Sequence, residues 1–580
     1  MDTTNVLLKV DHRAGARDQL SARYSRYDVS ATNARGAGAL TNVSASQHLD
    51  NTDQAFAVSN TLILSPRTVL ETRAQYAHSN LQAPPSDLIG PTVSIAGIAS
   101  FGRLSTSPTG RLNKMYQVVN NLSYQRGAHA LRAGVDVLSN DDLITFPRSV
   151  RGGYTFSSLA NFLSGTYNNA GFSQTVGITE LAQTNPNLGI YAQDEWKLTS
   201  ALTLNAGVRY DLQWLETIAL DANNVSPRVG IAWSPFESRR SIVRASGGIY
   251  YDRVPLRALA NALMSADNST DVNQLRQYSV SLSPTQAGAP VLPNILAAAI
   301  PLVTLPNLTT MDPNLQNAYS RQFSTEFEQQ FGERTTFGAG YQYLKGENLL
   351  MAINQNVPTC VAAATNNGCR PVSSYANNSQ YSGAGSSNYH GLHLSLAQRT
   401  TKWGQYRVSY TLSKSMNDLG EAFFSSPIDP TDVSKDWGRS DNDQRHRLVI
   451  NGSAQAGGFQ FSGMVQAYSA PPFNITSGVT TVQGTAGRPL VNGQVIERNA
   501  GEGTAFFRFN ARVSRTFRFA TRWQAELLVE AFNLTDRTNV VTRNTNFGAG
   551  AYPASPSATF NQITAVGEPR SFQFGARVRF

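Results

Sequence analysis

The chain has 580 residues, 48 of them Lys or Arg and 39 Asp or Glu, for a net charge of +9 with only 15% charged residues. That is well below the roughly 25% of an ordinary soluble domain, yet 41% hydrophobic residues do not make a greasy chain either. A membrane helix is excluded, because no run reaches ~18 apolar residues; the stretch from Asn294 to Val303 is too short and is broken by Pro301.

A coiled coil is excluded by the absent A/E/K/L/R periodicity, and long disorder by 9% aromatics. The positive charge does not point to nucleic acid. Only seven residues are Lys, the arginines are spread along the chain, and no basic run or zinc-finger pattern occurs. Two cysteines exclude a disulfide scaffold and a Cys-rich metal site. Cys360 and Cys369 lie in a loop-like stretch of Ala, Asn and Gly. A local loop disulfide is expected there, as suits an oxidising compartment; a pair of free thiols is the alternative.

From the N-terminus, Met1 is followed by Asp2, Thr3, Thr4 and Asn5, without the basic and apolar regions of a signal peptide. The period then becomes two. Strands are expected near 5–11, 17–28, 52–64, 67–79, 114–126, 128–140, 187–198, 201–215, 225–234, 241–252, 316–331, 334–345, 388–399, 403–416, 443–455, 458–469, 505–518, 521–533 and 570–580. The alternation is strict from Leu202 to Trp214. Leu202, Leu204, Ala206, Val208, Tyr210, Leu212 and Trp214 share one face; Thr203, Asn205, Gly207, Arg209, Asp211 and Gln213 share the other. It returns in Phe507, Phe509, Ala511, Val513, Phe517 and Phe519, and in Phe572, Phe574, Ala576, Val578 and Phe580.

The connections alternate in length. Short turns are expected at Ser65-Pro66, Arg126-Gly127, Thr199-Ser200, Gly332-Glu333, Gly457 and Ala520. Long loops are expected at 29–51, 80–113, 141–186, 253–315, 346–387, 417–442, 470–504 and 534–569. Short helices are expected at Ser157–Leu163 and Leu256–Leu263, both on the outer rim. Such alternation of short turns and long loops marks an outer-membrane β-barrel. Nineteen strands would enclose a lumen too wide for side chains to fill, so the polar face lines the lumen and the apolar face meets lipid. The fold class is therefore all-β, a large antiparallel transmembrane β-barrel.

The first strand enters a short turn and the last follows a long loop, so both run the same way and the count is odd. A closed antiparallel barrel needs an even count, and an open edge in lipid leaves unpaired backbone groups. The expectation is an N-terminally incomplete barrel, part of a longer exported protein.

Several segments resemble TonB-dependent receptors of the Oar-like type. They are the opening Asn5 to His12 with Asp18 to Ser25, Thr52 to Tyr76, Ala318 to Phe331 followed by Gly340 to Gly346, and Asn388 to Leu396. Ser409 to Ser415, Trp437 to Arg447, Glu530 to Asn539 and Gly567 to Phe580 complete the set. The resemblance covers essentially the whole chain, least in the loops. It implies a 22-stranded barrel around a plug, of which residues 1–580 would supply the last nineteen strands without the plug or the TonB-interacting segment.

The resemblance also implies a place in the outer membrane of a Gram-negative bacterium and uptake of a large extracellular ligand. The implied partners are outer-membrane lipid, the barrel-assembly machinery and, through the absent N-terminal part, a TonB-type energy-transducing complex. Phe580, with Phe574 and Val578, resembles the terminal signal by which such barrels are recognised for assembly. An adhesive surface protein anchored by a barrel and a passive pore are the other readings.

Tyr210, Trp214, Tyr250, Tyr251, Phe519 and Trp523 lie near strand ends and are expected in the aromatic girdles. No catalytic, cofactor or metal site is expected. His390 and His393 are three apart on a strand, so they point to opposite faces. Asp441, Asp443, Arg445 and His446 read as the polar start of a strand rather than an acid–base site. Arg508, Arg512, Arg577 and Arg579 are expected in the lumen, against an acidic plug or in water.

Overall fold

The computed structural model describes residues 1–580 except 239, 298–304, 361–366, 421–424, 483 and 520–521. The turn expected at Ala520 and the latter part of the Asn294–Val303 run lie outside the described residues. All nineteen expected strands form. Numbered β1–β19 in chain order, they are Asp2–Arg13, Asp18–Arg35, Gln47–Ser65, Thr68–Ala83, Thr109–Arg126, His129–Thr145, Glu180–Lys197, Leu202–Gln213, Val225–Trp233, Ser241–Tyr251, Tyr319–Phe331, Thr335–Asn354, Asn378–Gln398, Gly404–Asn417, His446–Ala456, Phe459–Tyr468, Phe506–Arg518, Gln524–Phe532 and Ser571–Arg579.

Each pairs antiparallel with its neighbours in sequence, so the wall is one continuous meander. Two short pieces, Leu308–Met311 and Gly438–Arg439, join the same sheet. Among the described residues no ladder joins β1 to β19, so the sheet keeps two edges.

Residue type explains the register. Across β7, β8 and β9, Trp196 lies opposite Leu204 and Leu204 opposite Ile231, so apolar residues stack in rows on one face. A one-residue slip would exchange the faces of a whole strand. The hairpins turn at one end on few residues. Gly127 begins the β5–β6 turn with φ +59°, a conformation that glycine adopts without steric cost.

The apolar face is left in the open: Val229 is 54% exposed and Phe574 77%. The molecule exposes 31519 Å², whereas a compact soluble protein of its 62.9 kDa exposes roughly 20,000 Å². A wall with two faces left uncovered by other protein accounts for the excess. Arg515 interrupts the apolar face of β17, and its guanidinium lies 4.9 Å from the Phe459 ring and 5.1 Å from that of Phe517. At a strand end such a cation keeps its stem on apolar surface while its head reaches water.

The packed cores sit in the long loops, not in the wall. One is built on a five-stranded sheet, Thr92–Ile95, Ala99–Phe101, Gly153–Phe156, Phe172–Gly177 and Gln277–Leu282, around Tyr154, Phe156, Phe172 and Leu282. None of these strands was expected, because each lies among turn-forming residues and is only three to six residues long. Both expected helices form: α1 is Leu159–Leu163 and α2 is Leu256–Ala266. No helix among the described residues is long and apolar enough to cross a membrane.

Candidate functional site

The interior of the wall and the long-loop end carry the polar chemistry. Helix α2 is apolar on nearly every side, so it requires burial all round. Leu259, Leu263, Ala258 and Ala262 are fully buried. It packs on Ile144 of β6 and Leu181 of β7, residues of the face that also carries Asp136, Asp211 and Arg209. The helix thus lies inside the mouth over β6–β8, which corrects its expected place on the outer rim. The reason is the narrow polar stripe: only Arg257 and Asn261, four residues apart, face away from cover, and the remaining apolar surface is not stable on a wet rim.

The wall supplies its polar anchors. Gln213 accepts from the Val254 N–H at 2.8 Å, and Gln183 donates to the Leu256 carbonyl at 3.3 Å. Asn261, on the polar stripe of the helix, donates to the Tyr381 hydroxyl at 3.1 Å.

Below α2 the lumen face holds charges that satisfy one another. Arg209 binds Asp211 at 2.7 Å and lies 3.8 Å from Asp136. Arg244 lies 3.3 Å from Glu328 and 3.4 Å from Glu326. Arg209, Arg228, Arg244 and Glu326 line an interior groove of about 640 Å³. Arg512 and Arg577 share Glu526, at 2.8 and 3.7 Å, and Arg508 binds Glu568 at 2.5 Å. These arginines therefore already have acidic partners in the protein, unlike the acidic plug or bulk water expected from sequence. Arg579 has no ion pair among the described residues.

The residues expected in the girdles lie at the two strand ends, with one correction. Phe519, Trp523 and Phe580 are exposed at the short-turn end, and the Trp523 and Phe580 rings lie 5.5 Å apart. Tyr210, Trp214 and Tyr251 lie at the other end; Tyr251 stacks obliquely on Tyr319 at 5.2 Å. Tyr250 belongs to the lumen, under the Arg228 guanidinium at 4.3 Å and lining the interior groove. Adjacent strand residues point to opposite faces, so Tyr250 and Tyr251 do not share a girdle.

Phe574 and Val578 are exposed on the same face as Phe580. The apolar face also carries aromatic residues that the sequence reading did not single out, such as Trp196, stacked on His129 at 5.1 Å, and the Tyr76–Tyr116 pair at 5.2 Å.

His390 bonds the Tyr341 hydroxyl at 2.7 Å and His393 the Thr411 hydroxyl at 2.9 Å. Among the described residues no cluster of His, Cys, Asp or Glu fits a metal ion. Asp443 is buried, accepting from Arg439 Nε and the Ser415 N–H at 2.8 Å each. Asp441 accepts from Arg498 at 2.9 Å, and His446 bonds the Tyr410 hydroxyl at 2.7 Å. Asp441 thus fastens loop 469–505 just ahead of β15, while Asp443 and His446 tie the start of β15 to the end of β14 and to Arg439. Arg498 and Asn499, which complete the fastening, had no local sequence signal. Cys360 and Cys369 form a disulfide with Cα atoms 5.8 Å apart.

One loop pair is costly. Arg488 binds Asp436 at 2.9 Å with its side chain 1% exposed. Burial pushes the Asp436 carboxyl up, against the Ile428 N–H and the Arg488 charge, and pushes the Arg488 guanidinium down.

Residues 1–218 and 215–497 match the sequence profile of the outer membrane beta barrel domain. The TonB-dependent transporter Oar of Myxococcus xanthus is 29% identical over 202 residues, which is 31% of this chain and 18% of that protein. The chain thus matches less than a fifth of that relative's length. Among solved structures, the outer membrane transporter YddB from Escherichia coli superposes on the whole chain and 69% of its own length, with TM-score 0.68 and 14% identity. The siderophore receptor PirA from Acinetobacter baumannii covers the whole chain and 70% of its own, with TM-score 0.58 and 10% identity.

Proposed function

The chain belongs to the outer membrane beta barrel domain family and resides in the outer membrane of a Gram-negative bacterium, and from that premise we propose that it is the barrel of a TonB-dependent transporter for a large ligand. The observation that carries this reading is a nineteen-strand meander with a bare apolar face outside, a charged face inside and α2 seated in its mouth. An enzyme has no support in this arrangement, and a wide passive pore has no use for an apolar helix across its mouth. The long loops face the cell exterior and the short turns the periplasm, as in barrels of this kind.

The two sheet edges extend the proposal. Strands β1 and β19 both run toward the short-turn end, so direct contact would pair them parallel. Edges in hydrocarbon leave backbone N–H and C=O groups unpaired, at several kcal/mol each. An odd number of strands from outside this sequence restores closure, and a plug and TonB-interacting segment would accompany them. The barrel-assembly machinery would read the terminal Phe580 with Phe574 and Val578.

The test is to sequence the DNA upstream of the Met1 codon and to measure uptake with and without the energy-transducing complex. An open frame encoding a plug and further strands, with ligand accumulation lost when the complex is deleted, is the expected result. An in-frame stop immediately upstream, or accumulation indifferent to the complex, would overturn the proposal.

A further inference from the structure

Away from the lumen, a cavity of about 700 Å³ lies where four long loops meet. They are the loops between β12 and β13, β14 and β15, β16 and β17, and β18 and β19. The cavity walls are largely apolar, with Val357, Pro430, Val479, Leu490 and Tyr552 among them. That size and lining are typical of sites for small organic molecules, which use a few polar groups to fix orientation.

Such a group is present. Arg488 lines the cavity and its side chain is 1% exposed. Its Nη2 donates to the Lys435 carbonyl at 2.8 Å and lies 2.9 Å from Asp436 Oδ1. Its Nη1 is buried and has no hydrogen-bond partner among the described residues. A buried donor without an acceptor is costly unless something supplies one. The wall and the lumen supply no acceptor for that donor among the described residues, since Arg488 stands in loop 469–505.

The loops are held in place without a ligand. Arg498 bridges Asn417 and Asp441, and Lys435 binds Asp429 at 2.6 Å. A site fastened in this way gives up little further chain entropy on binding.

We propose that this loop cavity binds an amphipathic organic anion, its apolar body against Val479, Leu490 and Tyr552 and its carboxylate or sulfonate accepting from Arg488 Nη1. The inference deepens the transporter reading by naming the chemistry of a ligand met at the cell exterior, and it rests on that reading only for the side from which the ligand arrives.

The test uses two dyes with one ring system on the full chain in lipid nanodiscs, with empty nanodiscs subtracted. 8-Anilinonaphthalene-1-sulfonate carries the anion; N-phenyl-1-naphthylamine lacks it. The anionic dye should bind saturably and be displaced by 1-naphthylacetate. Arg488→Met should weaken the anionic dye about tenfold, the scale of one charged hydrogen bond, and leave the neutral dye within about twofold.

Val479→Trp, at an exposed position that tolerates bulk, should fill the cavity and abolish both. Asp436→Asn leaves the guanidinium less neutralised, so the anionic dye should bind several-fold tighter and the neutral dye unchanged; this variant decides the matter if Arg488→Met loosens the loops. Equal anionic-dye affinity in the Arg488 and Asp436 variants, or both dyes binding the Val479→Trp protein, would overturn the proposal. Dye binding without energy-dependent uptake would sink the transporter reading alone, and uptake without saturable dye binding would sink the cavity alone.

Discussion

Asn356 shows how much of a long loop one amide can hold. It is fully buried, donates to the carbonyls of Val372, Tyr375 and Ala376, and accepts from the Val372 N–H. Asn356→Leu keeps the approximate volume and removes the side-chain partner of the Val372 N–H and of the Val372 and Tyr375 carbonyls, while the Ala376 carbonyl keeps Arg370 at 3.0 Å. It should cost about 3 kcal/mol of local stability, read as faster amide exchange over 370–377 with exchange in β12 and β13 unchanged. A second single-residue effect concerns assembly. Phe580 is 90% exposed and so contributes little to folded packing. Phe580→Ser should lower the yield of membrane-inserted protein several-fold if the terminal aromatic is read during assembly, whereas Phe519→Ser, on the same belt, should not. Equal yields would show Phe580 to be an ordinary girdle residue. Period two made Phe580 legible, and it equally showed that Tyr250 and Tyr251 cannot face the same way; the mistake about Tyr250 came from reading strand ends without applying the alternation.

Among elements, α2 is the one with a function to lose. Leu263 is fully buried at the mouth. Leu263→Asp places a carboxylate where it has no partner and should expel the helix from the mouth. Planar bilayers containing the protein should then pass more current per inserted molecule; unchanged conductance would mean that α2 does not obstruct the lumen. Loop 418–445 carries a pH response instead. Burial raises the pKa of Asp436 above the ordinary aspartate value of 3.8. The folded loop therefore keeps a proton at pH values where the unfolded loop has lost it. The stabilisation is complete below 3.8 and is lost as pH rises through the folded value. Amide exchange over 428–436, corrected for intrinsic rates, should quicken across that window, and Asp436→Asn should remove the dependence. The helical spacing of α2 was visible in sequence, but its location was not, since nothing local says which surface will cover Leu259 and Leu263.

For the molecule as a whole, the exposed apolar face is the property that decides the solvent. Val229 lies near the middle of β9 on that face and is 54% exposed. Val229→Lys should cost about 2–4 kcal/mol in a bilayer, as a cation at the hydrocarbon midplane does. Ser324→Lys, on the lumen face beside Glu326, should change stability by about 0.5 kcal/mol or less. Urea titrations of the protein refolded in lipid vesicles check both; equal costs would mean that the two faces meet the same solvent.

The sequence by itself determined the wall: nineteen strands, their order, their pairing and their two faces. Each depends on residues adjacent in the chain, because pleat alternation and hairpin pairing are local. Only the tertiary structure decided what the long loops do. The five-stranded loop sheet, the seating of α2 on Ile144 and Leu181, and the meeting of Arg488 with Asp436 join residues tens to more than a hundred positions apart. No period in the sequence encodes such contacts; they are selected by which buried donors and apolar surfaces find partners once the wall has brought the loop ends together.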